Sequence, residues 1–151
     1  MRLFIGIDPG KSGAWAVIDQ NGVVTLTKNF TDSSYKDFQQ EIYVMHQDFD
    51  IAVVAIEQVH AMPGQGVSSM FSFGANYGGW LATLELLNLK HVLVRPQAWQ
   101  KAILGTVPKG QSKPRALAYA QRIFPEQNLK KSHHGKVDAL LIALWAKKEA
   151  I

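Results

Sequence analysis

Residues 4–19 read Phe4-Ile5-Gly6-Ile7-Asp8-Pro9-Gly10-Lys11-Ser12-Gly13-Ala14-Trp15-Ala16-Val17-Ile18-Asp19. This stretch decides the fold because it places one carboxylate, Asp8, at the abrupt end of an apolar strand. Leu3 through Ile7 is short, apolar and β-branched, as a buried central strand should be. Pro9-Gly10 stops it, and Trp15, Val17 and Ile18 resume an extended segment after Gly13. The stretch therefore predicts a hairpin with Asp8 exposed at its edge. A hard oxygen ligand on a stiff element can hold a divalent ion or orient a phosphate. Residue statistics alone favour a simpler role, an Asp that stabilises the turn before Pro-Gly.

The segments outside the hairpin decide between these roles. Asn21-Gly22 is a two-residue turn signal, and Val23 to Phe30 gives a third strand, so three antiparallel strands open the fold. Asp32-Ser33-Ser34 supplies N-cap chemistry for a helix over Tyr35 to Gln47, with Phe38, Ile42 and Met45 at helical spacing. Ile51 to Glu57 is a nearly continuous apolar run of strand length, expected to be buried on both faces and parallel to the first strand after its crossover helix. Glu57 ends that strand as Asp8 ends the first, and parallel neighbours bring both acids to one sheet edge, where ligands gather in α/β folds.

His60 to Gly74, rich in Gly, Ser, Met and Pro, reads as a loop beside that edge, with Phe71 and Phe73 either stacking on nucleobases or anchoring the next helix. Tyr77 to Leu89 reads as a helix whose Trp80, Leu81, Leu84 and Leu87 form an apolar stripe, by default a core face and otherwise a subunit interface. His91 to Val94 gives a fifth strand. Helices are expected from Pro96 to Ile103, from Ser112 to Phe124 and from His133 to Glu149. On the last of these, Asp138 lies at the margin of a stripe of Val137, Leu140, Leu141, Leu144 and Trp145. A carboxylate there calls for a cation, a donor or a metal, the alternative being an exposed Asp near a helix N-terminus.

A chain of 151 residues with 47% apolar and 19% charged content suits a single globular domain over 1–151. With no cysteine, a disulfide framework, a thiolate zinc site and a cysteine nucleophile are excluded. No leader or membrane-length apolar span is read, so the expectation is a soluble cytoplasmic protein without membrane contact. The net charge is +4, but it is unevenly spread. Residues 1–89 carry 4 basic and 9 acidic side chains, whereas residues 90–136 carry 10 basic side chains against the single acid Glu126. That block calls for a polyanion, nucleic acid above all, in preference to a merely solvated basic face.

An Asp ending the first strand, a Glu ending the fourth and an Asp on the final helix follow the order of the RNase H-like nucleases. Ile5-Gly6-Ile7-Asp8-Pro9-Gly10, Ile56-Glu57-Gln58-Val59 and Asp138-Ala139-Leu140-Leu141-Ile142-Ala143 resemble the motifs of the RuvC-type Holliday-junction resolvases. Arg95-Pro96 with Lys101 and Lys113 is similar to that family's basic region, so the resemblance spans most of the chain. It implies an α/β RNase H-like fold: a five-stranded mixed sheet, three antiparallel strands then two parallel, with helices on both faces.

The resemblance further implies a crossover-junction endodeoxyribonuclease, working as a homodimer that cuts two opposed strands of a four-way DNA junction. Asp8, Glu57 and Asp138 become ligands for two Mg2+ or Mn2+ ions per active site, and Lys101, Lys109, Lys113, Arg115, Lys130 and Lys131 become DNA contacts. A helicase partner is left open. Trp80, Leu81 and Leu84 become candidates for the dimer interface.

The family's additional acid or His, three residues before the last Asp, is replaced here by Gly135. His134 projects about 40° from Asp138 on a helix of 3.6 residues per turn. It is therefore the candidate for the fourth catalytic and metal-binding position, with His133 second. His60 stands where the bacterial members often carry an aromatic residue. A RuvC-like nuclease acting on other branched DNA or on RNA, and a junction-binding protein without turnover, are the alternative readings.

Overall fold

The computed structural model describes residues 1–149. Five strands, β1 (Arg2–Asp8), β2 (Ala14–Asp19), β3 (Val24–Asn29), β4 (Asp50–Glu57) and β5 (His91–Val94), form one sheet in the order β3-β2-β1-β4-β5. β1 pairs antiparallel with β2 and parallel with β4; β2–β3 is antiparallel and β4–β5 parallel. Asn21-Gly22 makes the expected turn: Gly22 has φ +84°, and Asp19 Oδ1 accepts from the amides of Asn21 and Val23 at 2.8 and 2.9 Å.

Helices α1 (Tyr35–Asp48) and α2 (Val67–Leu86) cover one face, while α3 (Pro96–Leu104), α4 (Ser112–Ile123) and α5 (His134–Glu149) cover the other. Ser34 caps α1 reciprocally with Asp37, and Phe38, Ile42 and Met45 are its buried face. Strand alternation sorts the core: Leu3, Ile5 and Ile7 of β1 pack toward α1 and α2, and Phe4 packs toward α5. Gly6 shares the side of Phe4, and a Cβ there would overlap the backbone of Ala139 and Ala143, so α5 lies directly on β1.

The β1–β4 ladder contains one register shift. Leu3 pairs with Ile51 but Phe4 with Val53, so Ala52 is an extra residue in β4. Ile51 packs on the α1/α2 side, whereas Ala52 and Val53 both pack on the α5 side. Beyond the shift Ile7 pairs with Ile56, which leaves Asp8 and Glu57 on the next rung, on the α5 side.

Two expectations change. The segment from His60 to Gly74 is a loop only as far as Gly66: α2 begins at Val67 and carries both Phe71 and Phe73. Trp80 and Leu84 are not interface residues. Both are fully buried, and Trp80 sits in an aromatic cluster with Phe30, Tyr35 and Phe38 at centroid distances of 5.0–5.4 Å. Leu81 is partly buried against the same core. The stripe is apolar because it faces the sheet.

Candidate active site

Asp8 is the last residue of β1 and Glu57 the last of β4. Asp138 lies one turn into α5, whose first turn is pressed onto the β1–β2 loop: a Cβ on Gly135 would overlap the carbonyl oxygen of Ser12. The three carboxylates therefore share one corner, between the parallel strand ends and the helix N-terminus, near enough for their charges to act on one another. Asp8, expected to be exposed, is half-buried, as are Glu57 and Asp138.

Burial dominates their electrostatics, with mutual repulsion second. Burial raises the Asp8 carboxyl above its ordinary range, partly offset by the Gly10 amide, which donates to Asp8 Oδ1 at 3.2 Å, and by the charge of His134. Burial, then the charges of Asp8 and Glu57, push Asp138 up to about 8, with Lys113 pulling the other way. Glu57 is pushed up to about 7 by burial and by Asp8, against the hydrogen bond that Trp99 Nε1 donates to its Oε2 at 2.6 Å. The ion pairs Arg2–Asp50 and Lys28–Glu41 lie elsewhere and involve none of the three.

Side chains from the other layer fix the turn after Asp8. Asn76 of α2 donates from its amide to the carbonyl of Pro9, and the Tyr35 hydroxyl donates to the side-chain oxygen of Asn76. The sequence reading found neither Asn76 nor Trp99: their partners lie 67 and 42 residues away, and no local pattern marks such contacts.

Of the two histidines, His134 opens α5, is exposed, and interacts electrostatically with Asp8. His133 lies in the preceding 3-10 turn, and its Nδ1 accepts from the amide of Lys130 at 3.0 Å. A cavity of about 440 Å3 between α4 and α5 is lined by Lys113, Leu117, Lys130, Lys131, His134 and Asp138. A more open depression of about 680 Å3, beside the ends of β4 and β5, is lined by Gln58, His60, Arg95, Gln97 and Lys101. Lys109 and Arg115 are exposed but line neither.

Among the described residues no three His, Cys, Asp or Glu side chains are close enough together to cage a metal ion by themselves. The donor set nevertheless fits hard divalent cations: oxygen donors, half-buried, with only partial relief from the charges of His134 and Lys113. Mg2+ is ordinarily held by one or two carboxylates with water and substrate phosphate, not by an all-protein cage. No helix among the described residues is long and apolar enough to cross a membrane.

Comparison of the sequence with family models and with curated proteins gives no match. Solved structures do match. The chain is similar to T. thermophilus RuvC in complex with a Holliday junction substrate, at 17% identity and a TM-score of 0.64 over 95% of this chain and 91% of that one. It is equally similar to a second Thermus thermophilus RuvC structure, at 14% identity and a TM-score of 0.64 over 97% and 96% of the two chains. The five-stranded mixed sheet with its two helical layers is thus the RuvC-type, RNase H-like fold.

Proposed function

We propose that this chain is a structure-selective endonuclease that resolves four-way DNA junctions by metal-dependent phosphodiester hydrolysis. The observation that carries the reading is the placement of Asp8 and Glu57 on one rung of parallel strands, on the same side of the sheet, with Asp138 of α5 over them. The fold shared with a RuvC seen on a Holliday junction supports it, as does the run of exposed cations on α3, α4 and the segment leading into α5.

Asp8, Glu57 and Asp138 would hold two Mg2+ or Mn2+ ions, which when bound supply the Lewis acidity that activates water and stabilises a leaving 3′-oxygen. The chain's own residues do the rest. The Gly10 amide and the Asn76–Pro9 contact hold the Asp8 turn in one conformation. Lys113, Lys130 and Lys131, around one cavity with Asp138, would receive backbone phosphates, and Lys101 with Arg95 would receive them in the separate depression beside the ends of β4 and β5. The polyanion is thereby drawn across the acids that would otherwise repel it. His134, exposed in the cavity it lines with Asp138 and the lysines, would pass a proton to or from a reacting oxygen as general acid or base. Phe71, 80% exposed on the first turns of α2, offers an aromatic face to an unpaired base.

Symmetric resolution needs two such sites on one junction, so the active species in this reading is a homodimer. Its interface does not use Trp80 or Leu84. Sedimentation of the free and junction-bound protein tests this, and a monomer in both states would contradict it.

The deciding experiment is Mg2+-dependent cleavage of a synthetic four-way junction beside linear duplex DNA, forked DNA and RNA. Paired, symmetric cuts in the junction alone are the expected result. Preferential cutting of another branch or of RNA would move the substrate class, and junction binding without cutting would make the chain a binding protein.

A further inference from the structure

Trp99, near the middle of α3, is completely buried, yet its indole Nε1 donates to Glu57 Oε2 at 2.6 Å. Resting on the nuclease reading above, we propose that Trp99 is a positioning residue: its N–H fixes one oxygen of Glu57 so that the second, Oε1, is presented to a divalent cation.

The chain contains its own comparison. Trp15 and Trp80 are also fully buried, and their Nε1 atoms have no hydrogen-bond partner among the described residues. This core thus accepts indoles for their volume alone, and volume does not account for a bonded N–H aimed at Glu57. The chemistry of the donor points the same way. An indole N–H only donates, so it restrains a carboxylate oxygen without offering an acceptor to the metal. It is also neutral: a lysine or arginine holding the same oxygen would bring positive charge to the place where a cation has to bind.

The support is stiff at both ends. Pro96 sets the first turn of α3, and Trp99 shares a packed core with Val137 and Leu141 of α5. The helix that supplies Asp138 therefore also braces the indole that holds Glu57. Partners that orient metal-binding side chains commonly change metal affinity by about 10–100-fold when removed.

The test is Mn2+ binding to the DNA-free protein, measured by calorimetry, for wild type, Trp99→Phe and Trp80→Phe. Trp99→Phe is expected to weaken Mn2+ binding about 10–100-fold and to lower turnover at saturating junction. Its affinity for junction in EDTA should be unchanged. Trp80→Phe, which removes a similar part of a ring but no bonded N–H, should lower the melting temperature and leave Mn2+ affinity as in wild type. Should Trp99→Phe fail to fold, 3-benzothienylalanine at position 99 keeps the shape and deletes only the N–H.

Wild-type Mn2+ affinity in either position-99 variant overturns the proposal, as does an equal loss in Trp80→Phe. A wild-type protein that binds Mn2+ but cuts no nucleic acid removes the nuclease reading and leaves the calorimetry to decide Trp99's role. One that binds no Mn2+ in the absence of DNA overturns the proposal for Trp99 and leaves the nuclease reading to the cleavage assay.

Discussion

Gly135 lies against the backbone carbonyl of Ser12 so closely that even a methyl group at that position would overlap it. Gly135 is thus the contact that seats α5, the helix of Asp138, on the β1–β2 loop that follows Asp8. Gly→Ala inside a helix ordinarily stabilises by about 1 kcal/mol; Gly135→Ala is expected to do the reverse. Gly135→Asp should be worse and should not raise activity. Melting temperatures and cleavage rates of the two variants check this, and a faster Gly135→Asp protein would contradict it.

Asp8→Asn, Glu57→Gln and Asp138→Asn are each expected to abolish cleavage while leaving junction affinity in EDTA largely intact, because in the proposed reading each removes a cation ligand and not a phosphate contact. Gel-shift and cleavage assays on the same preparations separate the two effects. Losses of only a few-fold in turnover would count against the assignment of these acids.

His134→Ala is expected to lower turnover by at least about a hundredfold, the lower range of general acid–base catalysis. His133 accepts a backbone N–H at the entrance to α5, so His133→Ala should cost stability, about 1 kcal/mol as for a lost cap, and little turnover. Single-turnover rates at saturating junction, with denaturant melts alongside, distinguish the roles; reversed outcomes would exchange them.

The raised carboxyls make the metal-free protein sensitive to alkali. Glu57 titrates from 4.5 unfolded to about 7 folded, and Asp138 from 3.8 to about 8. Between about pH 4 and pH 8 the folded state therefore holds more protons than the unfolded one, and stability falls as pH rises through that window. In EDTA the melting temperature should decline from pH 5 to pH 8. Mn2+ should reverse the decline, since it binds the deprotonated groups, and Asp138→Asn should melt above wild type at pH 8. A flat profile in EDTA would show that burial at this corner does not raise the two carboxyls.

Lys101 and Lys113 line two different depressions, Lys113 the one that also contains Asp138. If each neutralises one phosphate, replacing either with Ala should reduce the slope of log affinity against log salt by about one, and replacing both by about two. Fluorescence anisotropy on a junction over a salt series measures this. An unchanged slope for either variant would place that lysine off the DNA path.

Strand order, the two acids at one sheet edge and the acid on the last helix were legible because each rests on a short local pattern: an apolar run stopped by a charge, or a stripe at helical spacing. The start of α2 was not. Ser68, Ser69, Ser72 and Gly74 lower helix propensity, and there the fold overrides it. Trp80 shows the complementary limit. Periodicity identifies an apolar face without saying what covers it, and here the cover is Phe30, Tyr35 and Phe38. The side on which Glu57 emerges was equally hidden, since Ile51 to Ile56 is apolar at every position and carries no alternation to count.

The extra residue at Ala52 acts as a clutch between the two ends of β4. Ile51 and Glu57 are six residues apart, and in an unbroken strand they would project to the same side; the register shift between Leu3 and Phe4 separates them onto opposite sides. The lower end can thus be set for α1, which delivers the chain to β4, while the upper end is set for the acids, with neither constrained by the other. Losing Ala52 would make Leu3–Ile51 and Phe4–Val53 consecutive rungs, closing the shift without disturbing the rung of Asp8 and Glu57. Straightening the strand from below while keeping Ala52 would turn Glu57 toward α1 and α2, away from Trp99 and Asp138. A single surplus residue, five positions before the acid, decides which helical layer that acid addresses.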